Sequence, residues 1–194
     1  MHGDRGVCRV RAVRSRTLCL AALWLASTLC LAGLGCSSGG GVRVEGNAVA
    51  APNLGYVFGP VAPSWRRIEV PSNDVAWFDP DTRGTIHVDH SCARDNDTPL
   101  SALVQHLLLG FTAREFVSEE TIPFDGREAR HVVLRARLDG VPRALELYVM
   151  KKDGCVFDLG YVAPPDRFEQ GRPRFEAFVR GFRTTRSPLG PGAP

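Results

Sequence analysis

The sequence predicts an α+β fold, a central antiparallel sheet of about six to seven strands with helices on both faces, in the order βββ-α-ββββ-α. Three observations lead there. Asp125-Gly126, Asp139-Gly140 and Asp153-Gly154 recur 14 residues apart, and Asp-Gly is a leading signal for the tight type I′ turn of a β-hairpin. A continuous apolar stripe at helical spacing runs through Leu100, Leu103, Val104, Leu107, Leu108 and Phe111. The segment 155–163 carries apolar residues on both faces, Phe157, Leu159 and Tyr161 against Val156 and Val162, and such a strand needs cover on both sides.

The elements follow in order. Short β-like runs at 65–70 (WRRIEV), 74–79 (DVAWFD) and 84–90 (GTIHVDH) are separated by Pro-Ser-Asn and Pro-Asp-Thr-Arg-Gly, which is turn chemistry. Thr98 can cap the first helix, Pro99 suits its first turn, and Gly110 is a stop. Four strands joined by the three Asp-Gly turns make a meander. In its middle hairpin a two-residue turn sets Leu138 opposite Val141, Leu134 opposite Leu145 and Val132 opposite Leu147. The other face pairs His131 with Tyr148 and places Arg135 diagonal to Glu146. After Pro164-Pro165, the residues Phe168, Phe175, Phe178, Val179 and Phe182 form a second helical stripe. Arg172-Pro173 is expected to divide an initial turn from the main helix.

The flanks have a different chemistry. Residues 1–16 hold Arg5, Arg9, Arg11, Arg14 and Arg16 against one acid, Asp4, and residues 17–35 carry no charge. A basic stretch followed by an apolar one is the layout of an export signal. Gly35-Cys36 resembles the lipobox of bacterial lipoproteins, with Cys36 as the lipidated residue, although Gly33 stands where that pattern usually has Leu. An uncleaved signal anchor and ordinary signal-peptidase cleavage are the alternatives. All three place the rest of the chain outside the cytoplasm. The expected organisation is a signal peptide at 1–35, a lipidated flexible linker at 36–55, a globular domain at 56–186 and a disordered tail at 187–194. The formal charge of +3 belongs to the export segment, because removing it leaves 19 basic against 20 acidic residues. That balance speaks against a nucleic-acid partner.

With the element order in place, the domain resembles the PsbP-like family, an α/β/α sandwich that includes bacterial envelope lipoproteins of the DcrB and LpqN types. The features that carry the resemblance are the early Trp-containing strands, the Pro-Leu helix after the third strand, Asp-Gly-Arg-Glu-Ala at 125–129, and the spacing from Pro164 to Phe168. It covers 56–186 and implies a fold, but no catalytic residues and no cofactor.

Candidate chemistry is sparse. Cys92 and Cys155 are the only cysteines of the domain, and an even pair in an exported chain points to a disulfide. The rival is a reactive thiol at Cys92 beside His87 or His90. In His87-Val-Asp-His90-Ser-Cys92, a strand turns His87 and Asp89 one way and His90 and Cys92 the other, which does not favour one chelated metal. Arg127, Arg130, Arg135, Arg137 and Arg143 form either a patch for anions or a solvated face interleaved with Glu128 and Glu146. Trp65, Trp77, Phe78, Tyr148 and Tyr161 line either a ligand groove or the core. Asp79-Pro-Asp81 reads as a turn, with calcium as the other option. The sequence therefore points to a non-enzymatic envelope lipoprotein held to the membrane by its lipid, on the periplasmic or outer-membrane face, with an envelope protein as possible partner. A thiol- or histidine-dependent enzyme, or a carrier of a small apolar ligand, is the alternative.

Overall fold

The computed structural model describes residues 42–51, 54–71, 73–92 and 97–185. The signal segment, Cys36 and the tail at 187–194 lie outside the described residues. The elements are β1 (Arg43–Glu45), β2 (Ala48–Ala50), β3 (Gly55–Val57), β4 (Arg66–Ile68), β5 (Val75–Asp79), β6 (Gly84–Cys92), α1 (Leu100–Leu107), β7 (Phe111–Phe124), β8 (Arg127–Leu138), β9 (Val141–Lys152), β10 (Cys155–Ala163), α2 (Phe168–Arg180) and β11 (Arg183–Thr185).

Seven strands form the main sheet in the order β4-β5-β6-β10-β9-β8-β7, antiparallel throughout. The three Asp-Gly turns behave as their chemistry requires. Asp125, Asp139 and Asp153 have φ of 45°, 49° and 52°, and Gly126, Gly140 and Gly154 have 74°, 77° and 79°. Two consecutive positive φ values define type I′, whose twist matches the flanking strands. The register is as read from the letters, with Leu138 opposite Val141, Leu134 opposite Leu145, Val132 opposite Leu147 and His131 opposite Tyr148.

Alternation along the strands sends side chains to two separate cores. Val132, Leu134, Leu145, Leu147, Val149 and Val156 pack with Val104 and Leu108 of α1 on one face. Met150, Phe157, Leu159 and Tyr161 pack with Phe168, Phe175, Phe178 and Val179 of α2 on the other. The helices thus lie on opposite faces of the sheet.

Three expectations are corrected. Part of the segment expected as linker is structured: β1, β2, β3 and β11 form a second sheet of four strands in that order, with β3 paired to β11. Val49, Ala51, Leu54 and Tyr56 of this region are buried. Its short apolar residues are separated by Gly and Asn, so no two-residue period stands out. The strands gain their stability by packing on the aromatic core, not from local propensity. Next, α1 ends at Leu107 and Thr98 does not cap it, since Pro99 holds the N-cap position without a side-chain bond. Phe111 opens β7 and still joins the α1-side core. Finally, α2 runs unbroken through Pro173. One backbone bond is forfeited there, and burial of Phe168 and Phe175 on the same helix face outweighs it.

Candidate functional site

The least ordinary chemistry of the fold lies between α2 and the sheet. Glu146 on β9 is 0 % exposed. One carboxylate oxygen accepts from His131 Nε2 at 2.8 Å and from the Tyr148 hydroxyl at 3.2 Å; the other accepts from Arg172 Nε at 3.1 Å. The second ring nitrogen of His131 meets Glu120 on β7 at 3.0 Å. Both imidazole nitrogens can donate to carboxylates only if the ring is protonated. Burial pulls the His131 pKa down, but the bonds to Glu146 and Glu120 and their charges outweigh it, and the net shift is upward. Burial first, then the Glu146 charge, raises Tyr148 well above the ordinary phenol range. Arg172 also reaches Glu176 at 3.3 Å and Glu169 at 3.8 Å, so the network spans β7, β8, β9 and α2.

The solvated face interleaved with Glu128 and Glu146, one of the two options for the arginine hairpin, does not hold for Glu146, which is buried. The signal was present in α2. Phe168, Arg172, Phe175 and Val179 fall at i, i+4, i+7 and i+11, so Arg172 sits on the buried stripe and requires a buried acid opposite.

Beside the network a groove of about 500 Å3 runs between the β7–β8 turn and the C-terminal half of α2. Ile122, Phe124 and Val179 supply its apolar lining, and Tyr148, Glu176, Arg180 and Arg183 its polar groups. Asp125 at its end is held by Lys152 Nζ at 2.8 Å and by the backbone and hydroxyl of Thr184. Burial raises the Asp125 pKa, but these donors outweigh it and the net shift is downward. The arrangement can bind a small ligand or a peptide side chain.

A second cluster ties the small sheet to the large one. Asp74 accepts from the Tyr56 hydroxyl at 2.7 Å and lies 2.5 Å from His90 Nδ1. The bond to Asp74 raises the His90 pKa against the effect of burial.

The residues singled out in the sequence scatter. Cys92 and Cys155 are directly opposed across β6 and β10 and form a disulfide, which overturns the reactive-thiol alternative. His90 faces the α2-side core against Phe157, and His87 points the other way, lying over Gly160. Among the described residues, no three His, Cys, Asp or Glu side chains converge as a metal-ligand set. The Asp79-Pro-Asp81 turn holds a guanidinium: Arg174 reaches Asp79 at 2.7 Å and Asp81 at 2.9 Å. Trp65, Trp77, Tyr148 and Tyr161 are core residues, and Phe78 is half-buried. The arginines do not form one patch. Arg130 pairs with Glu119 at 3.0 Å, whereas Arg137 donates to the Gly140 carbonyl at 2.8 Å.

One cross-strand pair of acids lies in the sheet without a signal in the local sequence. Asp89 and Asp158 stand directly opposite each other on β6 and β10. Burial, then the charge of Asp74, raises Asp89 to about 6. Burial, then the charge of Asp89, raises Asp158 to about 7.

A seven-stranded antiparallel sheet between two helices, with the helices entering after its third and seventh strands in chain order, is the PsbP-like fold. The fold comparison agrees. The chain is similar to cyanobacterial PsbP (CyanoP) from Synechocystis, at 16% identity over 80% of this chain and 99% of that one, with a TM-score of 0.50. It is also similar to LpqN, a protein involved in cell envelope biogenesis of Mycobacterium tuberculosis, at 16% identity over 67% and 84% of the two chains, with a TM-score of 0.49. A third similar structure is the Saccharomyces cerevisiae Ran-binding protein Mog1p, at 14% identity over 75% and 96%, with a TM-score of 0.47. No protein-family model and no curated protein matches the sequence. Likeness at this level of identity establishes the fold alone.

Proposed function

We propose that the chain is an exported lipoprotein whose domain is a non-enzymatic binding or interaction module of the cell envelope, anchored through Cys36. The observation that carries this reading is the Cys92–Cys155 disulfide, because structural disulfides persist in oxidising, extracytoplasmic compartments. The export-type segment at 1–35 supports it independently. The groove between α2 and the β7–β8 turn is where the module takes a ligand or partner group. Membrane tethering and an envelope partner belong to this proposal, and nucleic acid does not. The test is metabolic labelling with a fatty acid in the native host. The wild-type chain incorporates label and fractionates with membranes, and Cys36→Ser loses the label. A wild-type chain that takes up no label yet fractionates with membranes would mark 17–35 as an uncleaved anchor and remove the lipoprotein reading.

A further inference from the structure

We propose that the corner built by the α1–β7 turn and the β8–β9 turn docks on an anionic lipid surface. Among the described residues six large apolar side chains are exposed, and three of them, Leu109, Leu138 and Val141, lie on the two turns of this corner, while Phe116 and Val117 follow farther along the edge strand, at the level of Leu134 and Val133. The strand register joins the two turns. Leu138 pairs with Val141 on one side and with Phe111 on the other, and Gly110 stands against Leu138. Scattered exposed apolar residues need no explanation, but a gathered set marks an interaction surface.

The charges around the corner are mainly cationic. Arg137 is held over the β8–β9 turn by its bond to the Gly140 carbonyl, and Arg143 follows Val141 on the same turn. Arg135 reaches Glu115 only at 3.9 Å. The acids present are Glu115 and Asp139. Arg114 is turned inward, onto the Phe111 and Leu108 carbonyls and Gln105. Apolar tips with Arg137 and Arg143 on the adjoining turn are suited to the headgroup–acyl boundary of an anionic bilayer.

Strand addition by a protein partner fits less well. The adjoining edge strand β7 has register breaks between Thr112 and Glu115 and between Phe116 and Ser118. It also carries Glu119, Glu120 and Pro123, and these features discourage edge pairing.

The proposal rests on the membrane-tethered reading and adds an orientation to it. Arg43 pairs with Ala50, Ala50 with Gly55 and Gly55 with Thr185, and Thr185 shares a groove with Asp153 and Cys155. The chain therefore enters the fold beside the β9–β10 turn, at the end of β9 opposite the corner, about 40 Å away at the usual strand rise. Tether and corner together would lay the long axis of the sheet along the bilayer.

The experiment uses the full chain reconstituted into phosphatidylcholine vesicles with or without phosphatidylglycerol. Flotation reports the tether, and amide hydrogen exchange reports the corner. The expected result is that amides at 108–112 and 137–141 slow by roughly tenfold only when phosphatidylglycerol is present. The protection should disappear in Arg137→Gln/Arg143→Gln and in Val141→Asp, while the Asp-Gly turn is kept. Floating vesicles with unchanged exchange at the corner would overturn the proposal and leave the tether intact. Protection independent of lipid charge, or protection produced by envelope protein and not by lipid, would overturn it as well. If the chain fails to float, vesicles added to the detergent-free chain still test the corner by the same exchange.

Discussion

Two carboxylates of this sheet, Glu146 buried and Asp158 half-buried, have opposite consequences. Glu146 is fully buried and fully bonded, to His131, Tyr148 and Arg172. Removing one member of such a set leaves charged groups buried without a partner. Glu146→Ala should therefore cost about 3 kcal/mol or more in chemical denaturation at neutral pH. Glu120→Ala should cost under about 1 kcal/mol, because the Glu120 side chain is 58% exposed. Equal costs would mean that Arg172 and His131 are not held by Glu146. Asp158 behaves oppositely, because burial and then the Asp89 charge raise its pKa to about 7. A carboxyl whose folded pKa exceeds its unfolded value of about 3.9 favours the protonated folded state. Its ionisation lowers stability as pH rises from about 4 to about 7, and the loss persists above. The His131 pKa is also raised, so the stability it contributes is complete below about 6.5 and is lost as pH rises through the folded value. His87 runs the other way: burial lowers it to about 4, so stability is lost as pH falls from about 6.5 towards that value. Asp158→Asn should thus raise the melting temperature at pH 8 by about 3–6 °C, roughly 1–2 kcal/mol, and change it little at pH 4. A variant no more stable than wild type at pH 8 would show that Asp158 ionises without penalty.

At the scale of elements, the seam between β6 and β10 is fitted by one side chain. A Cβ built on Gly160 would lie 2.2 Å from His87 Cε1, because the imidazole lies across the β10 backbone at its cross-strand partner. Gly160→Ala should destabilise by about 2 kcal/mol through overpacking. His87→Ala in the same chain should recover most of that loss, whereas simple additivity in a double-mutant cycle would deny the contact. The elements themselves were largely legible in the letters. The β7–β10 meander follows from three Asp-Gly turns and an alternation that has only one register burying both faces. The second helix was legible by its stripe, and its continuity through Pro173 was not, because the local preference at a proline is overruled by the aromatic contacts of Phe168 and Phe175. The strands β1 to β3 were illegible for a related reason. Three-residue strands have too few positions to show a period, and Tyr56 is ordered by rings distant in sequence, Phe157 and Phe182. The site divided likewise. The disulfide could be inferred by counting cysteines, but the Glu146 network required knowing that Arg172 would land above β9.

In the whole molecule, the order β4-β5-β6-β10-β9-β8-β7 makes one pairing carry the connection between two halves. β4, β5 and β6 come from the N-terminal part of the fold and β7 to β10 from the meander, and within the main sheet they meet only where β6 pairs with β10. The Cys92–Cys155 bridge lies at the end of that pairing and spans 63 residues of sequence, α1 and three strands of the meander included. Closing a loop of that length in the unfolded chain is worth about 4 kcal/mol in the chain-entropy account. Both cysteines already sit opposite each other in the ladder, so their geometry is supplied by the strands, and reduction should leave the fold in place but less stable. Cys155→Ser should lower the melting temperature by roughly 10 °C under oxidising conditions, from about 4 kcal/mol at the slope expected for a domain of this size. Wild type treated with reductant should melt at the same lowered temperature, and the variant should not respond to reductant at all. If reduced wild type instead lost native structure at ambient temperature, the β6–β10 seam would depend on the covalent bond. Identical melting of oxidised wild type and Cys155→Ser would mean that the meander reaches the N-terminal strands just as readily without the bridge.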